Sequence, residues 1–364
     1  MKNTFLGQFL TYCLNKNKLI YNFTGQSIDW SSLYSFGQKH AISGILFDGI
    51  KQLPKEMTPP RNLLLKLFSL SEQIRKRNVV LNNEASKLYK MFREEGLRCC
   101  ILKGQGNALM YPDPYSRMPG DIDIWVMAER ERIIAFTKEH FGVDDMRFHH
   151  VEVDMGNGVT GEIHFFPLYM NNPIYNRRLQ KWFKQIGDLQ CSNIKELPDD
   201  AGMIAVPTTE FNVIYQMGHI FHHFFDEGIG LRQLIDYYYL LRENDANSNE
   251  EIRKKLRYFG LYNFSRAVMY VEKEALGLED KYLIAEPDVK RGKSLLDEIL
   301  NGGNFGRHYT KYNEFTRKGM AEKYFLKIYR NMHFIKSYPA EALSEPIFRT
   351  WHFFWRLWNK NKMK

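Results

Sequence analysis

The sequence contains few cysteines and no long apolar run. No stretch approaches the roughly 20 apolar residues of a transmembrane helix, and residues 1–20 lack the cleavage site of a signal peptide. Cys13, Cys99, Cys100 and Cys191 do not have zinc-site spacing. We therefore expect a cytoplasmic protein with reduced thiols. There is also no internal repeat.

The charge balance is basic, since 51 Lys and Arg stand against 42 Asp and Glu and give a net charge of +9. A basic balance favours anionic ligands such as phosphates, nucleotides or nucleic acid, but it does not choose among them. Solvated lysine-rich helices explain the excess equally well. The length of 364 residues allows a large core, in two or three subdomains.

Hydrophobic patterning predicts a small mixed sheet within helices, an α+β fold. Helical spacing runs from Asn62 to Phe92 and stops near Gly96. Short apolar runs follow, and Asn157-Gly158 between two alternating runs indicates a hairpin. Four regions result: an N-terminal helical region at 1–96, the α/β core at 97–170, a helical domain at 171–300, and a basic, aromatic helical region at 301–364.

Two acids, Asp121 and Asp123, are separated by one apolar residue and followed by an apolar run. If Asp121 to Val126 is a strand, both carboxylates point to one face, because side chains alternate along a strand. Two carboxylates so close together repel each other unless a cation lies between them. Mg²⁺, or Mn²⁺, is the expected cation because hard divalent ions prefer oxygen ligands.

The hairpin supplies a third acid. Glu152 and Asp154 share one face of its first strand, and Glu162 and His164 share a face of its second. We choose Glu162, because the turn returns its strand toward the centre of the sheet. Three carboxylates can hold two cations about 4 Å apart, which can activate a hydroxyl and neutralise a leaving pyrophosphate.

These residues resemble the polymerase-β-type nucleotidyltransferase superfamily, and more closely its bacterial branch of uncharacterised nucleotidyltransferase-like proteins. The shared pattern is Leu102-Lys103-Gly104, then Arg117 with Asp121-Ile122-Asp123, then Glu162-Ile163-His164. The resemblance covers roughly residues 25–310. It implies a small mixed sheet with metal-binding acids and transfer of a nucleoside monophosphate from a nucleoside triphosphate to a hydroxyl.

The resemblance also implies a nucleotide-binding turn of Lys103, Gly104, Gln105 and Gly106, assisted by Arg117. Gln105 departs from the Gly or Ser that the superfamily prefers, which puts a side-chain contact with phosphate in doubt. Backbone N–H groups of the turn could still hold an anion. Glu162 stands where Asp is common, and its longer side chain changes the geometry of the metal site.

Several residues allow a second interpretation. Lys103 can reach phosphates or simply flank the turn. Arg117 can clamp a phosphate, or pair with Asp113 or Asp121 as structural support. His164 is expected to pack or support the site rather than bind metal.

A second group of histidines follows Pro207. His219 and His223 lie one helical turn apart, so a zinc site with His222 is a hypothesis. Helical projection favours packing for His222, and a substrate-facing role for His219 or His222 is the functional alternative. Arg232 and Asp236 have the spacing of a pair that braces one helix.

The function predicted from sequence is a Mg²⁺-dependent nucleotidyltransferase in which Asp121 and Asp123 bind the metals. Glu162 either completes the metal site or acts as base toward the acceptor hydroxyl. The acceptor is unknown and could be a small molecule, a sugar, a protein hydroxyl or an RNA end. The alternative is a nucleotide- or partner-binding protein of the same fold without turnover. A weaker hypothesis is nucleic-acid binding by the basic aromatic C-terminal stretch, for which packing on its own domain is the favoured interpretation.

Overall fold

The computed structural model describes residues 4–15, 28–143, 145–304 and 328–359, and within this part the chain places one mixed sheet among helices, which confirms the α+β prediction. The helices are α1 Phe5–Leu14, α2 Trp30–His40, α3 Ser43–Ile50, α4 Arg61–Glu94, α5 Gln105–Ala108, α6 Arg130–His140, α7 Pro173–Ser192, α8 Thr209–Asp226, α9 Leu231–Glu243, α10 Asn249–Tyr258, α11 Tyr262–Ala275, α12 Val289–Gly302 and α13 Pro339–Asn359.

The main sheet has five strands in the order β1-β2-β5-β4-β3, and β6 pairs with β7 separately. Among the strand pairs of the described residues, β2·β5 is parallel and the other pairs of the main sheet are antiparallel. β5 therefore lies at the centre of the sheet, as predicted for the second hairpin strand. The strands are β1 Arg98–Ile101, β2 Ile122–Met127, β3 Asp145–Met146, β4 His150–Asp154, β5 Thr160–His164, β6 Ile194–Glu196 and β7 Met203–Ala205.

The long helix α4 covers one face of this sheet. It begins after Pro60 and ends before Gly96, whose φ of 68° suits glycine and stops the helix as predicted. Its apolar side chains, such as Leu88, pack with Ile122 and Ile124 in one buried cluster. Burial of that face fixes which side chains of β2 point to the other one.

The opposite face of the sheet meets the helical part of the chain. Trp125 of β2 packs against Phe183 of α7 and Phe211 of α8, with ring centroids 6.1 and 6.2 Å apart. These contacts cross the boundary near residue 170, so the division into four regions remains a prediction. The four cysteines are all buried. No helix in the described ranges is both long and apolar enough to cross a bilayer.

The helix α13 returns to the sheet. Phe348 stacks on Tyr169 at 4.9 Å and meets Phe148 edge-on at 6.0 Å. The carboxylate of Glu341 accepts hydrogen bonds from the backbone N–H groups of Asn171 and Asn172. One side of the aromatic C-terminal stretch therefore packs on its own chain, the interpretation that the sequence favoured, whereas Phe353, Phe354 and Trp358 are 53, 61 and 89% exposed.

Candidate active site

A cavity of about 680 Å³ lies between the sheet, the helices α8 and α9, and α13. Asp121, Asp123 and Glu162 line one side of it. Asp121 comes immediately before β2. Asp123 and Glu162 are direct partners in the parallel β2·β5 ladder, so their side chains leave neighbouring strands on one face. The sequence placed these three acids together, and their backbone positions are consistent with that prediction.

Asp123 is the most deeply buried acid of the site, at 1% exposure. Its Oδ1 forms an ion pair with Lys103 Nζ at 2.9 Å and accepts a hydrogen bond from His164 Nε2 at 3.0 Å. Its Oδ2 is buried and has no hydrogen-bond partner in the described part of the chain. A buried carboxylate oxygen without a partner is costly, and a bound cation would remove that cost.

Charges within the site stabilise one another. Burial alone would raise the pKa of Glu162, but the hydrogen bond from His164 and the charge of His150 lower it to about 2. Burial would lower the pKa of His164, yet hydrogen bonds to Asp123 and Glu162 raise it to about 9. Burial also opposes the charge of Lys103, but Asp123 and Asp121 raise its pKa well above the usual range. The positively charged side chains of His164 and Lys103 thus face the acids.

The donor set fits a divalent cation. Asp123, Glu162 and His164 each offer a ligand atom, and these atoms lie within 4.8 Å of one another. Two of the three are carboxylates, and Asp121 lies beside them in the cavity wall. Oxygen-rich sites of this kind suit Mg²⁺. The partnerless Oδ2 of Asp123 is the observation that supports this fit.

The glycine turn is only partly exposed to the cavity. Gly104 lines it and has a φ of 59°, a conformation that favours glycine. The side chain of Gln105 is buried and donates a hydrogen bond to Asn82 of α4. The Gly106 N–H donates to the Lys103 carbonyl. The Gln105 side chain is thus engaged with Asn82, and the anion-binding role of the backbone of residues 104–106 remains a prediction.

Arg117 has a partner that the sequence did not suggest. Its Nε and Nη2 donate to Oδ1 and Oδ2 of Asp236, each at 2.8 Å. Tyr111 donates to the same carboxylate at 2.6 Å. Arg117 lines the cavity, but its guanidinium is already bonded to Asp236. This favours a structural role over binding of a phosphate. The Arg117 guanidinium thus hydrogen-bonds to Asp236 rather than to Asp113 or Asp121, the alternatives considered from sequence. Asp236 braces a contact between elements, and it also interacts with Arg232 of its own helix.

The predicted pocket histidines His219 and His222 both line the cavity. Lys103 Nζ lies 2.9 Å from His219 Nε2, which accepts a hydrogen bond because an ammonium group can only donate. Burial, then the charge of Lys103, holds the pKa of His219 well below its usual value. His222 meets Tyr169 edge-on at 4.6 Å. Substrate contact by these residues remains a prediction.

Sequence reasoning missed other parts of the cavity wall. Tyr215 is 1% exposed, its hydroxyl has no hydrogen-bond partner in the described ranges, and it lies one turn before His219. Its position one helical turn before His219 is the sequence signal that could have placed Tyr215 in the cavity wall. Phe348, Arg349 and His352 come from α13, and no motif in the sequence connects them with the acids.

Residues 26–277, more than half of the chain, match the model of a family described as uncharacterised nucleotidyltransferase. The chain belongs to this nucleotidyltransferase family. This confirms the family predicted from the Lys-Gly turn and the acid motif, and it makes the protein a transferase of the nucleotidyl type. Enzymes of this type use nucleoside triphosphates and divalent metal ions. Helix α13 lies outside the matched segment of this family member.

Two solved structures are similar to this nucleotidyltransferase. An antigenic nucleotidyltransferase-like protein from Paracoccidioides brasiliensis is 13% identical, with 57% of this chain and 94% of that chain covered and a TM-score of 0.32. A CCA-adding enzyme in complex with CTP is 12% identical, with 72% and 76% covered and a TM-score of 0.21. No curated protein matches the sequence.

Proposed function

We propose that this protein transfers a nucleoside monophosphate from a nucleoside triphosphate to a hydroxyl of an acceptor, with Mg²⁺ bound at the acid site. The supporting observation is the pairing of Asp123 with Glu162 across the parallel ladder, with the buried Oδ2 of Asp123 lacking a hydrogen-bond partner. Family membership supports the class of reaction. The choice of metal and the site residues are our proposal.

Asp121, Asp123 and Glu162 would hold the metal, as two Mg²⁺ ions or as Mn²⁺ in their place. The chemistry that such ions supply when bound is charge neutralisation on the triphosphate and a lower pKa for the acceptor hydroxyl. Lys103 adds a fixed positive charge beside the acids, which favours binding of an anionic substrate. His164 orients Asp123 through its hydrogen bond to Oδ1, which leaves Oδ2 for the cation.

The reaction forms one bond and breaks one. The acceptor oxygen bonds to the α-phosphorus, the bond from that phosphorus to the bridging oxygen breaks, and pyrophosphate leaves. The acceptor proton passes to solvent. Helices α8 and α9 and helix α13 form the remaining cavity wall, so the acceptor would bind among their side chains. Its class remains open: a small molecule, a sugar, a protein hydroxyl or an RNA end.

A second candidate is a nucleotide- or partner-binding protein without turnover. The observation that favours it is the engagement of Asp123 Oδ1 by both Lys103 and His164, which neutralises the acid without a metal. The Gln105 side chain, turned toward Asn82, is consistent with a weakened triphosphate site. This candidate predicts nucleotide binding but no release of pyrophosphate with any acceptor.

The test is a screen of the four nucleoside triphosphates with Mg²⁺, followed by thermal shift and by pyrophosphate release over the four acceptor classes. We expect Asp123→Asn to remove the Mg²⁺-dependent shift and to lower pyrophosphate release at least about 100-fold, because a metal ligand is worth several kcal/mol in the transition state. Asp200→Asn, the same substitution at an exposed turn, is the matched control and should behave as wild type.

The outcomes separate the candidates. Pyrophosphate release that depends on Mg²⁺ and on Asp123 supports transfer. A Mg²⁺-dependent shift with no pyrophosphate from any acceptor class supports the binding protein. Absence of a metal-dependent shift with every nucleotide contradicts transfer.

A further inference from the structure

Three histidines meet beside the acids, at the end of the central hairpin. His150 and His164 are direct partners in the antiparallel β4·β5 ladder, and the Phe165 N–H donates to the His149 carbonyl at 2.9 Å, which extends the pairing by one residue. The three ring centroids lie 4.3 to 5.5 Å apart. Their positions are therefore fixed by backbone pairing at the centre of the sheet.

The donor atoms are close enough for one metal ion. His150 Nδ1 and His149 Nε2 are 3.0 Å apart, and one ring nitrogen of each of the three histidines lies within 4.8 Å of the others. Tetrahedral zinc with Zn–N distances of 2.0–2.1 Å needs nitrogen atoms about 3.3 Å apart. One pair is already near that separation, and the third nitrogen lies within 4.8 Å of both.

The neighbouring carboxylates supply the support that such ligands need. His164 Nε2 donates to Asp123 Oδ1 at 3.0 Å, so its Nδ1 is the nitrogen left for a metal. That Nδ1 is buried and has no hydrogen-bond partner among the residues described. Imidazole must lose its proton there when metal binds. A carboxylate behind a ligating histidine is the usual arrangement in metal sites.

We infer that His149, His150 and His164 form a binding site for one transition-metal ion, of the class that imidazole prefers and with Zn²⁺ as its representative. All three side chains line the cavity, so a fourth coordination position is open to solvent or to a bound substrate. This site differs from the oxygen-rich Mg²⁺ site in its ligands His149 and His150, and the two sites share His164. The inference does not depend on the proposed function.

Metal binding to chelator-treated protein tests the inference. Co²⁺ serves as the probe because its visible absorption reports four-coordinate nitrogen sites, with Zn²⁺ competition and metal analysis giving affinity and stoichiometry. We expect one ion per chain, not displaced by excess Mg²⁺. His149→Asn should weaken binding at least about tenfold. His140→Asn, an exposed histidine of α6, is the matched control and should bind as wild type.

Two further variants keep the test decisive. His150→Gln removes a second ligand if His149→Asn misfolds, and circular dichroism of the metal-free variants verifies folding. Normal Co²⁺ binding by both His149→Asn and His150→Gln would overturn the inference. It would also be overturned if Asp123→Asn abolished the Co²⁺ spectrum while His149→Asn left it unchanged, because the ion would then lie at the acids. Absence of any bound ion has the same consequence.

Discussion

Arg117 and Asp236 form a charged pair in which both side chains are almost completely buried. Burial opposes both charges, but each raises the stability of the other's ionised form, so the pKa of Asp236 is lowered. Removing one member of such a pair leaves the other charge buried without a counterion. The pair holds the loop before β2 against α9, directly behind the acids.

We therefore expect Asp236→Ala to lower the free energy of unfolding by about 3–5 kcal/mol. The double variant Arg117→Met with Asp236→Leu should recover most of this loss, because it removes both charges and keeps the volume. Urea denaturation followed by circular dichroism measures both. Glu94→Gln, in the exposed pair with Lys90, should cost less than about 1 kcal/mol. Equal losses in the single and double variants would contradict this account.

The acids were predictable from sequence because strand alternation is a local property. Asp121 and Asp123 share a face through a period of two, and the Asn-Gly turn returned Glu162 to the same sheet. The partner of Arg117 was not predictable. Asp236 lies 119 residues later, and nothing in its local pattern distinguishes a brace within α9 from a contact with another element.

At the level of elements, helix α13 depends on a buried carboxyl. Glu341 is 4% exposed and accepts the backbone N–H groups of Asn171 and Asn172. Burial raises its pKa from 4.5 to about 7, although those hydrogen bonds act in the opposite direction. Because the folded-state pKa lies above the unfolded value, the folded state binds this proton more tightly. The stabilisation contributed by the protonated Glu341 carboxyl is fully present below about pH 4.5 and is lost as the pH rises through about 7.

Docking of α13 should therefore weaken between pH 5 and pH 8, by up to about 3 kcal/mol. Hydrogen exchange of peptides covering 339–359, corrected for the intrinsic rate, measures this change. Glu341→Gln should remove most of the pH dependence, because the amide cannot ionise. Glu139→Gln, an exposed glutamate of α6, should leave it intact. Protection that does not change with pH in the wild type would contradict the prediction.

The elements themselves followed from sequence more closely than their contacts did. The spacing from Asn62 to Phe92 predicted α4, observed as Arg61–Glu94, because one amphipathic face buried on a sheet leaves a clear period. The hairpin strands β4 and β5 fall within the predicted alternating runs. The two-residue edge strand β3 was missed, since so short a segment shows no period.

For the whole molecule, the net charge of +9 predicts weak binding to polyanions that does not involve the acids. A single-stranded RNA should bind wild type and Asp123→Asn with the same affinity, and the affinity should fall at least about tenfold from 50 to 200 mM salt. Fluorescence anisotropy with a labelled oligonucleotide measures this. Tight binding that persists at the higher salt would instead support the nucleic-acid hypothesis.

The connection from β2 to β5 shows where this protein tolerates change. The ladder between β2 and β5 fixes the acid pair. Residues added to or deleted from the turns around α6 therefore leave Asp123 and Glu162 opposite each other. A slip of β5 by a single residue would instead turn Glu162 toward α4. Changes of length in the turns around α6 are therefore compatible with the acid site as long as they preserve this alignment and the pairing of β4 with β5.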